Sequence, residues 1–401
     1  MKAISLFSGA GGDTLGLERA GYTVVAYSEN NQHAIATHQA AFPHSILLKD
    51  PVTGSTDIRK IPDEVFATYT GQIQVLFAGF PCQGFSHAGK KRADDPRNEL
   101  VHEFARVARI VKPAWIIGEN VRGLLSRLGR DPADPPTAPN KPVIDILRRV
   151  FADAGYNISY HVIDATEVGV PQLRKRLIIV GLRSTQFYPH IDWPARVPSE
   201  PVPTVRSFLE THLNGATSLN VHCADPDRFL IPTTVTVATG TPHPNLQRLA
   251  TGLRNRSSKE KAEDPQNTTV SVIEPDGLIS FGRRKSGYHG EVVDPDGPSK
   301  TIICTYNLCP RLFVGLRDPT GHSWVRCLSV RELAQIQGFP ADYPWQGDEK
   351  AQIIQIGNAV PPPLATKIGL ALQRVWSRPF PQTDEDPSLA ADADSDDDTE
   401  A

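Results

Sequence analysis

The 401-residue chain reads as α/β: a doubly wound, mostly parallel sheet with a second, smaller and irregular domain. Up to about residue 183, short apolar runs alternate with stretches of helical periodicity, the rhythm of βαβ units. From 184 to about 300 the alternation stops, and Pro, Thr, Ser and Gly dominate. Helical patterns then return over Val330–Gln337 and Leu364–Val375, which predicts that the chain re-enters its first domain.

Strands are expected at Ala3–Phe7, Thr23–Ser28, Ile46–Leu48, Val75–Gly79, Trp115–Gly118, Ile158–Ile163 and Leu177–Gly181. Helices are expected between them, at Leu15–Ala20, Gln32–Ala41, Glu99–Val111 and Val143–Ala154. The proline-rich Asp131–Pro142 reads as a surface insertion. These features divide the chain into 1–183, a second domain over 184–300, a returning segment over 301–380 and a tail over 381–401.

The tail holds nine acidic side chains and no basic one, with little apolar content, and is expected to be disordered. Residues 1–380 carry 42 basic and 36 acidic groups, a net of +6 that suits a polyanionic partner. Five cysteines without regular pairing argue against a disulfide scaffold, and the start of the chain has no signal-peptide layout. With no apolar run of membrane-spanning length, a cytosolic protein without membrane contact is expected.

Four constellations carry the candidate chemistry. Phe7-Ser8-Gly9-Ala10-Gly11-Gly12 follows the first strand, where glycines let a backbone approach a ligand, although a tight structural turn fits equally. Thr14 stands where a dinucleotide fingerprint requires a third glycine, whereas Glu29 ends the second strand at the offset for holding ribose hydroxyls. Cys82 closes the run Val75–Phe80 in the crevice of the sheet, and Glu119 ends the run beginning at Trp115. Each has a plain alternative, a packed thiol for Cys82 and a helix cap for Glu119. A thiolate beside an acid on adjacent strands nevertheless suits nucleophilic addition to an electron-poor ring. In Gln172-Leu173-Arg174-Lys175-Arg176, an extended chain would put both arginines on one side to hold a phosphate or a carbonyl oxygen; a solvated strand end is the alternative.

These elements, in this order, resemble the DNA (cytosine-5) methyltransferases. The match runs through the Phe7–Gly12 turn, Glu29, Asp57-Ile58, Gly79-Phe80-Pro81-Cys82-Gln83-Gly84-Phe85-Ser86, Glu119-Asn120-Val121 and Gln172-x-Arg174-x-Arg176. It continues through Arg331–Pro340 and Gly357-Asn358-Ala359-Val360-Pro361. The resemblance implies a Rossmann-like class I methyltransferase domain and, over 184–300, a target-recognition domain. It implies S-adenosylmethionine as methyl donor, in a pocket of Phe7, Gly9, Gly11, Glu29, Asp57, Ile58, Pro81, Leu100, Asn358 and Ala359, and no metal. Cys82, Glu119, Arg174 and Arg176 become the catalytic set. Cys82 would add to C6 of a cytosine flipped from duplex DNA, Glu119, its pKa raised by burial, would protonate N3, and Arg176 would favour the thiolate and contact O2. Gln83 and Ser86, in a mobile loop reaching to about Arg97, and Arg283, Arg284 and Lys285 would touch DNA. A monomer is expected, nucleoid-associated when bound, with a cognate restriction endonuclease as further partner.

Three other readings compete with this one. A tRNA cytosine-5 methyltransferase of the same fold would carry a Cys-Phe-Thr signature in the recognition region, which is absent. A catalytically silent DNA-binding homologue is opposed by the intact Cys82, Glu119 and arginines, and a nucleotide-dependent oxidoreductase by Thr14. The target sequence is not legible.

Overall fold

The computed structural model describes residues 1–81, 100–129, 134, 135, 137, 139–183, 201, 204–218, 228–250, 271–273, 279–281 and 290–376. The larger sheet contains β1 (Lys2–Leu6), β2 (Thr23–Ser28), β3 (Ile46–Leu47), β4 (Val75–Ala78), β5 (Trp115–Val121), β6 (Asn157–Asp164) and β7 (Lys175–Leu182). Their order is β3-β2-β1-β4-β5-β7-β6. The strands from β1 to β5 pair in parallel, and β7 runs antiparallel to both its neighbours. β1 lies between β2 and β4, so the winding reverses there and opens a crevice beyond the strand ends.

Alternation along the strands feeds two apolar layers. Leu76, Ala78 and Ile116 join the cluster on one face, and Val75, Phe77, Trp115 and Ile117 join that on the other. The helices of this half are α1 (Gly12–Arg19), α2 (Gln32–Ala41), α3 (Asp63–Ala67), α4 (Leu100–Val111) and α5 (Val143–Asp153). In α4 the buried stripe Val101, Phe104, Ala105, Ala108 and Val111 has helical spacing. Asn31 caps α2 by accepting from the Ala34 amide.

Among the described residues four helices follow: α6 (Pro244–Ala250), α7 (Val330–Ile336), α8 (Glu349–Asn358) and α9 (Pro362–Trp376). α9 lies along α1. The contact requires glycine. A Cβ at Gly16 would lie 2.4 Å from the Pro362 carbonyl oxygen and 2.5 Å from the Ala365 Cβ.

A second sheet is built from β8 (Thr217–Ser218), β9 (Leu230–Pro232), β10 (Ser271–Ile273), β11 (Ile279–Phe281), β12 (Gly290–Val292), β13 (Leu312–Arg317) and β14 (Ser323–Cys327). The path is β8-β14-β13-β12-β11-β10, with β9 parallel to β13. This sheet crosses the division expected at residue 300. Its buried central strand β13 (Leu312-Phe313-Val314-Gly315-Leu316-Arg317) lies beyond that position, because five consecutive buried residues suit the middle of a sheet. Gln172–Leu173 and Ser299–Lys300 form a parallel pair that links the two halves.

The second sheet is joined to α7 by a buried ion pair. Arg326 reaches both carboxylate oxygens of Glu332 at 2.8 Å, with the side chains 1% and 0% exposed. Arg326 also donates to the carbonyls of His212, Glu210 and Cys327, and Glu332 accepts from the Glu210 and Ser329 amides. Removing the arginine alone leaves a carboxylate in the interior. Arg326→Met is expected to destabilise the fold by about 3–5 kcal/mol in urea unfolding; a loss under about 1 kcal/mol would contradict this account.

Candidate active site

β4 and β5 are paired from Val75 opposite Trp115 to Ala78 opposite Gly118, so the chain leaves both strands at one edge. The buried Asn120 holds that edge together, its side-chain amide donating to the Phe80 carbonyl at 3.1 Å. The described chain stops at Pro81. Cys82, Gln83, Ser86 and the rest of the expected loop lie outside the described residues, as do Arg283, Arg284, Lys285 and the acidic tail. Glu119 overlooks the approach to Cys82: a Cβ built at Gly79 would be 4.0 Å from its Oε2.

Glu119 lies within β5, which continues to Val121 instead of ending at Gly118, so it caps no helix. Across the ladder it stands opposite Ile178, and Arg176 is two residues away on the same face. Arg176 Nε meets Glu119 Oε1 at 2.8 Å, with both side chains nearly buried, and Nη1 donates to the Lys175 carbonyl. The described partner of Arg176 is therefore Glu119.

Arg174 takes other hydrogen-bond partners. It falls at the break between Gln172–Leu173 and β7, where the chain is not in a continuous strand. The side chain is 2% exposed, with Nη1 donating to the Ile302 carbonyl at 2.9 Å and Nη2 to the carbonyls of Gly357 at 2.9 Å and Ala359 at 3.0 Å. Burial, and then the positive charge of Arg176, pushes its pKa well down, opposed by Glu119. Arg174 positions the surrounding segments.

The turn after β1 forms a second half of the site. Phe7, Gly9 and Gly11 have φ of 56°, 56° and 87°; the left-handed geometry is strained at Phe7 and free at the glycines. Phe7 and Ser8 donate their amides to Ser28. Glu29 Oε2 accepts from the Gly9 amide at 2.8 Å, and Oε1 accepts from the amides of Asn30 and Asn31. A Cβ at Gly9 would meet nothing within 4 Å, so open space faces the turn beside a half-buried carboxylate. Those features fit an adenosine-containing ligand.

Asp57 caps the turn Ile58–Lys60 and binds Arg59 through both oxygens, which holds its carboxyl below the usual range. Ile58 is buried in the first core cluster, and half-buried Leu100 packs against it at the start of α4. Asn358 is exposed at the end of α8, and Ala359 is buried beside it.

Three positioning residues had no role in the sequence reading. Asn120 is one. Gln172 donates to Gln337 at 2.5 Å and accepts from the Ile302 amide, while Gln337 donates to the Ala359 carbonyl. Both glutamines stand inside motifs already singled out, and an amide within an apolar run was the available signal. Among the described residues no group of three or more His, Cys, Asp or Glu could hold a metal ion, and no helix is long and apolar enough to cross a membrane.

The family model for C-5 cytosine-specific DNA methylase matches residues 1–374. The type II methyltransferase M1.HphI of Haemophilus parahaemolyticus is 31% identical over 379 residues, covering 93% of this chain and 86% of its own length. M.PspPI of Psychrobacter sp. is 31% identical over 388 residues, covering 93% and 79%. Among solved structures, the methyltransferase EhMeth of Entamoeba histolytica matches with a TM-score of 0.60 at 16% identity, covering 94% of this chain and 99% of its own. A prophage-encoded E. coli protein described as a DNA modification methyltransferase matches with a TM-score of 0.59 at 23% identity, covering 94% and 100%. At those identities the structural likeness establishes the class I methyltransferase fold.

The contrast between the arginines is testable. Arg174→Met strands the Ile302 and Gly357 carbonyls, since Gln337 still reaches that of Ala359, and is expected to lower unfolding stability by about 3 kcal/mol. Urea melts showing no loss would return Arg174 to a role in substrate contact.

Proposed function

Because the chain belongs to the C-5 cytosine-specific DNA methylase family and is a DNA (cytosine-5) methyltransferase, we propose how its residues divide the work. It methylates C5 of a cytosine flipped out of a specific duplex sequence, through a transient bond between Cys82 and C6. The observation that carries this reading is the Glu119–Arg176 pair, 2.8 Å apart, overlooking the segment that leads into Cys82.

The pair matches the substrate edge. N3 and O2 are neighbours on one side of the cytosine ring, as Glu119 and Arg176 are neighbours on one face of the sheet. Cys82 Sγ adds to C6 while Glu119, carrying a proton, donates to N3, and the displaced electrons make C5 nucleophilic. Arg176 holds O2. S-adenosylmethionine, when bound, supplies an electrophilic methyl group. After C5 is methylated its proton is removed, the C6–S bond breaks and the ring is restored. Glu29 holds the donor's ribose, with Phe7, Gly9, Gly11, Pro81, Asp57, Ile58, Leu100, Asn358 and Ala359 around the donor.

Gln83, Ser86, Arg283, Arg284 and Lys285 are assigned to DNA contact, and 184–300, with the strands that complete its sheet, to target recognition. The type II names of the relatives support a place in a restriction–modification system, with a cognate endonuclease acting on the same sequence. A cytoplasmic monomer that joins the nucleoid on binding DNA completes the reading.

Cys82→Ala is expected to abolish transfer of label from S-adenosylmethionine to duplex DNA while retaining duplex binding in a gel-shift assay. Methylated cytosine from that variant, or label confined to tRNA in the wild type, would overturn the assignment. Glu119→Gln keeps the shape of the side chain, so the rate should fall by about 100-fold or more with little change in unfolding midpoint.

A further inference from the structure

Beneath the Phe7–Gly12 turn lies a buried carboxylate that the chemistry above does not use. Asp13, in the first turn of α1, is 1% exposed. Oδ2 accepts from the Ser5 hydroxyl on β1, and Oδ1 accepts from the Ser8 hydroxyl in the turn at 3.0 Å. Ser8 Oγ lies 3.1 Å from Thr14 Oγ1, which lies 3.0 Å from His38 Nε2 on α2. The His38 ring stacks on Tyr27 of β2 at 3.6 Å, and the next two residues are Ser28, which anchors the turn, and Glu29. One polar chain thus touches β1, the turn, α1, α2 and β2.

The donors in this chain have a direction. Ser8 gives its hydrogen to ionised Asp13, so it must accept from Thr14, and Thr14 must accept from a His38 Nε2–H. His38 Nδ1 is then a lone pair, which fits its having no hydrogen-bond partner. Protonated Asp13 must donate to one of the hydroxyls that now donate to it, and a link of the chain reverses.

We propose that Asp13 is the positioning residue of the methyl-donor pocket: its ionised carboxylate sets the turn in the donor-binding shape, and a proton on it loosens that shape. The inference rests on the turn being the S-adenosylmethionine site. Burial pushes the Asp13 carboxyl up to about 6, against the pull of the two serine hydroxyls. The titratable groups around it are His38 from α2, Tyr27 from β2 and Tyr343, whose hydroxyl donates to the Ala10 carbonyl, with Glu18 and Arg19 further along α1 and His44 beyond His38. Burial lowers His38 to about 3, raises Tyr27 to about 12 and raises Tyr343 further, so these three stay neutral while Asp13 titrates.

The sign is fixed by linkage. A carboxyl raised in the folded state destabilises the fold when ionised, fully above its folded pKa of about 6, and that penalty fades as pH falls toward 3.8. Donor binding runs the other way, because it favours the ionised form. Stability and affinity therefore respond oppositely to Asp13→Asn, whereas a misfolded pocket would lose both.

The test is calorimetric titration with S-adenosylhomocysteine, none of whose groups titrates near pH 6, in buffers of different ionisation enthalpy. Wild-type affinity is expected to fall about tenfold from about pH 8 to about pH 5, with a fraction of a proton released on binding near pH 6 and none at pH 8. Asp13→Asn should hold the weak affinity at every pH, release no proton, and melt about 3 °C higher than wild type at pH 8. A variant that keeps wild-type affinity at pH 8, keeps the proton release, or loses affinity and melting temperature together overturns the proposal. If the variant does not fold, wild-type binding near pH 6 without proton release overturns it. Wild-type protein that binds no S-adenosylhomocysteine at any pH would instead refute the assignment of the donor pocket.

Discussion

Arg174 is the point at which the molecule is tied together. Its guanidinium lies between the sheet that carries Glu119 and two segments that arrive more than 120 residues later, donating to Ile302, Gly357 and Ala359. Carbonyls at strand breaks and helix ends have no ladder partner, and one fixed, planar fork of donors satisfies three of them at once. Gln172 and Gln337 extend the same seam to the Ile302 amide and the Ala359 carbonyl. The position of Asn358 and Ala359, assigned above to the proposed donor pocket, depends on that seam. So does the approach of the second sheet, because Ser299–Lys300 reaches Gln172–Leu173 just before it.

The interior holds charge in two contrasting ways. The Arg326–Glu332 pair is saturated: each carboxylate oxygen faces the guanidinium, and the remaining donors find main-chain carbonyls. Such a pair fixes geometry more than it adds stability. Asp13 has the Ser5 and Ser8 hydroxyls and the Thr14 backbone as partners, and burial raises its carboxyl against their pull. A structural joint is served by the first arrangement, and a site that must answer to its ligand by the second.

Much of this was legible from residue pattern. Thr23–Ser28 and Gln32–Ala41 were read to the residue, because each is bounded by a change of polarity and, for the helix, by the cap Asn31. The pairing of the strands leading to Cys82 and Glu119 followed from their apolar runs. β5 was read short because Glu119 and Asn120 are polar residues in a strand, held there by Arg176 and the Phe80 carbonyl. The carbonyl partners of Arg174 were not legible from its alternation with Arg176, because they lie far along the sequence. The second sheet was hidden by short strands drawn from both sides of residue 300. The α8 helix, Glu349–Asn358, has an Asp348 cap but only a weak apolar stripe, since it is packed on several sides.

The close fit of α9 on α1 has a consequence for biosynthesis. Gly12 and Gly16 leave room for the Val360 and Pro362 carbonyls and for Ala365 where a Cβ would clash, so α1 is completed by α9, a helix far later in the chain. An N-terminal domain ordinarily folds while the rest of its chain is still being made. Here the flank of α1 that packs on α9 has no partner until α9 is made. The contact between α1 and α9 therefore forms only after α9 itself has been translated.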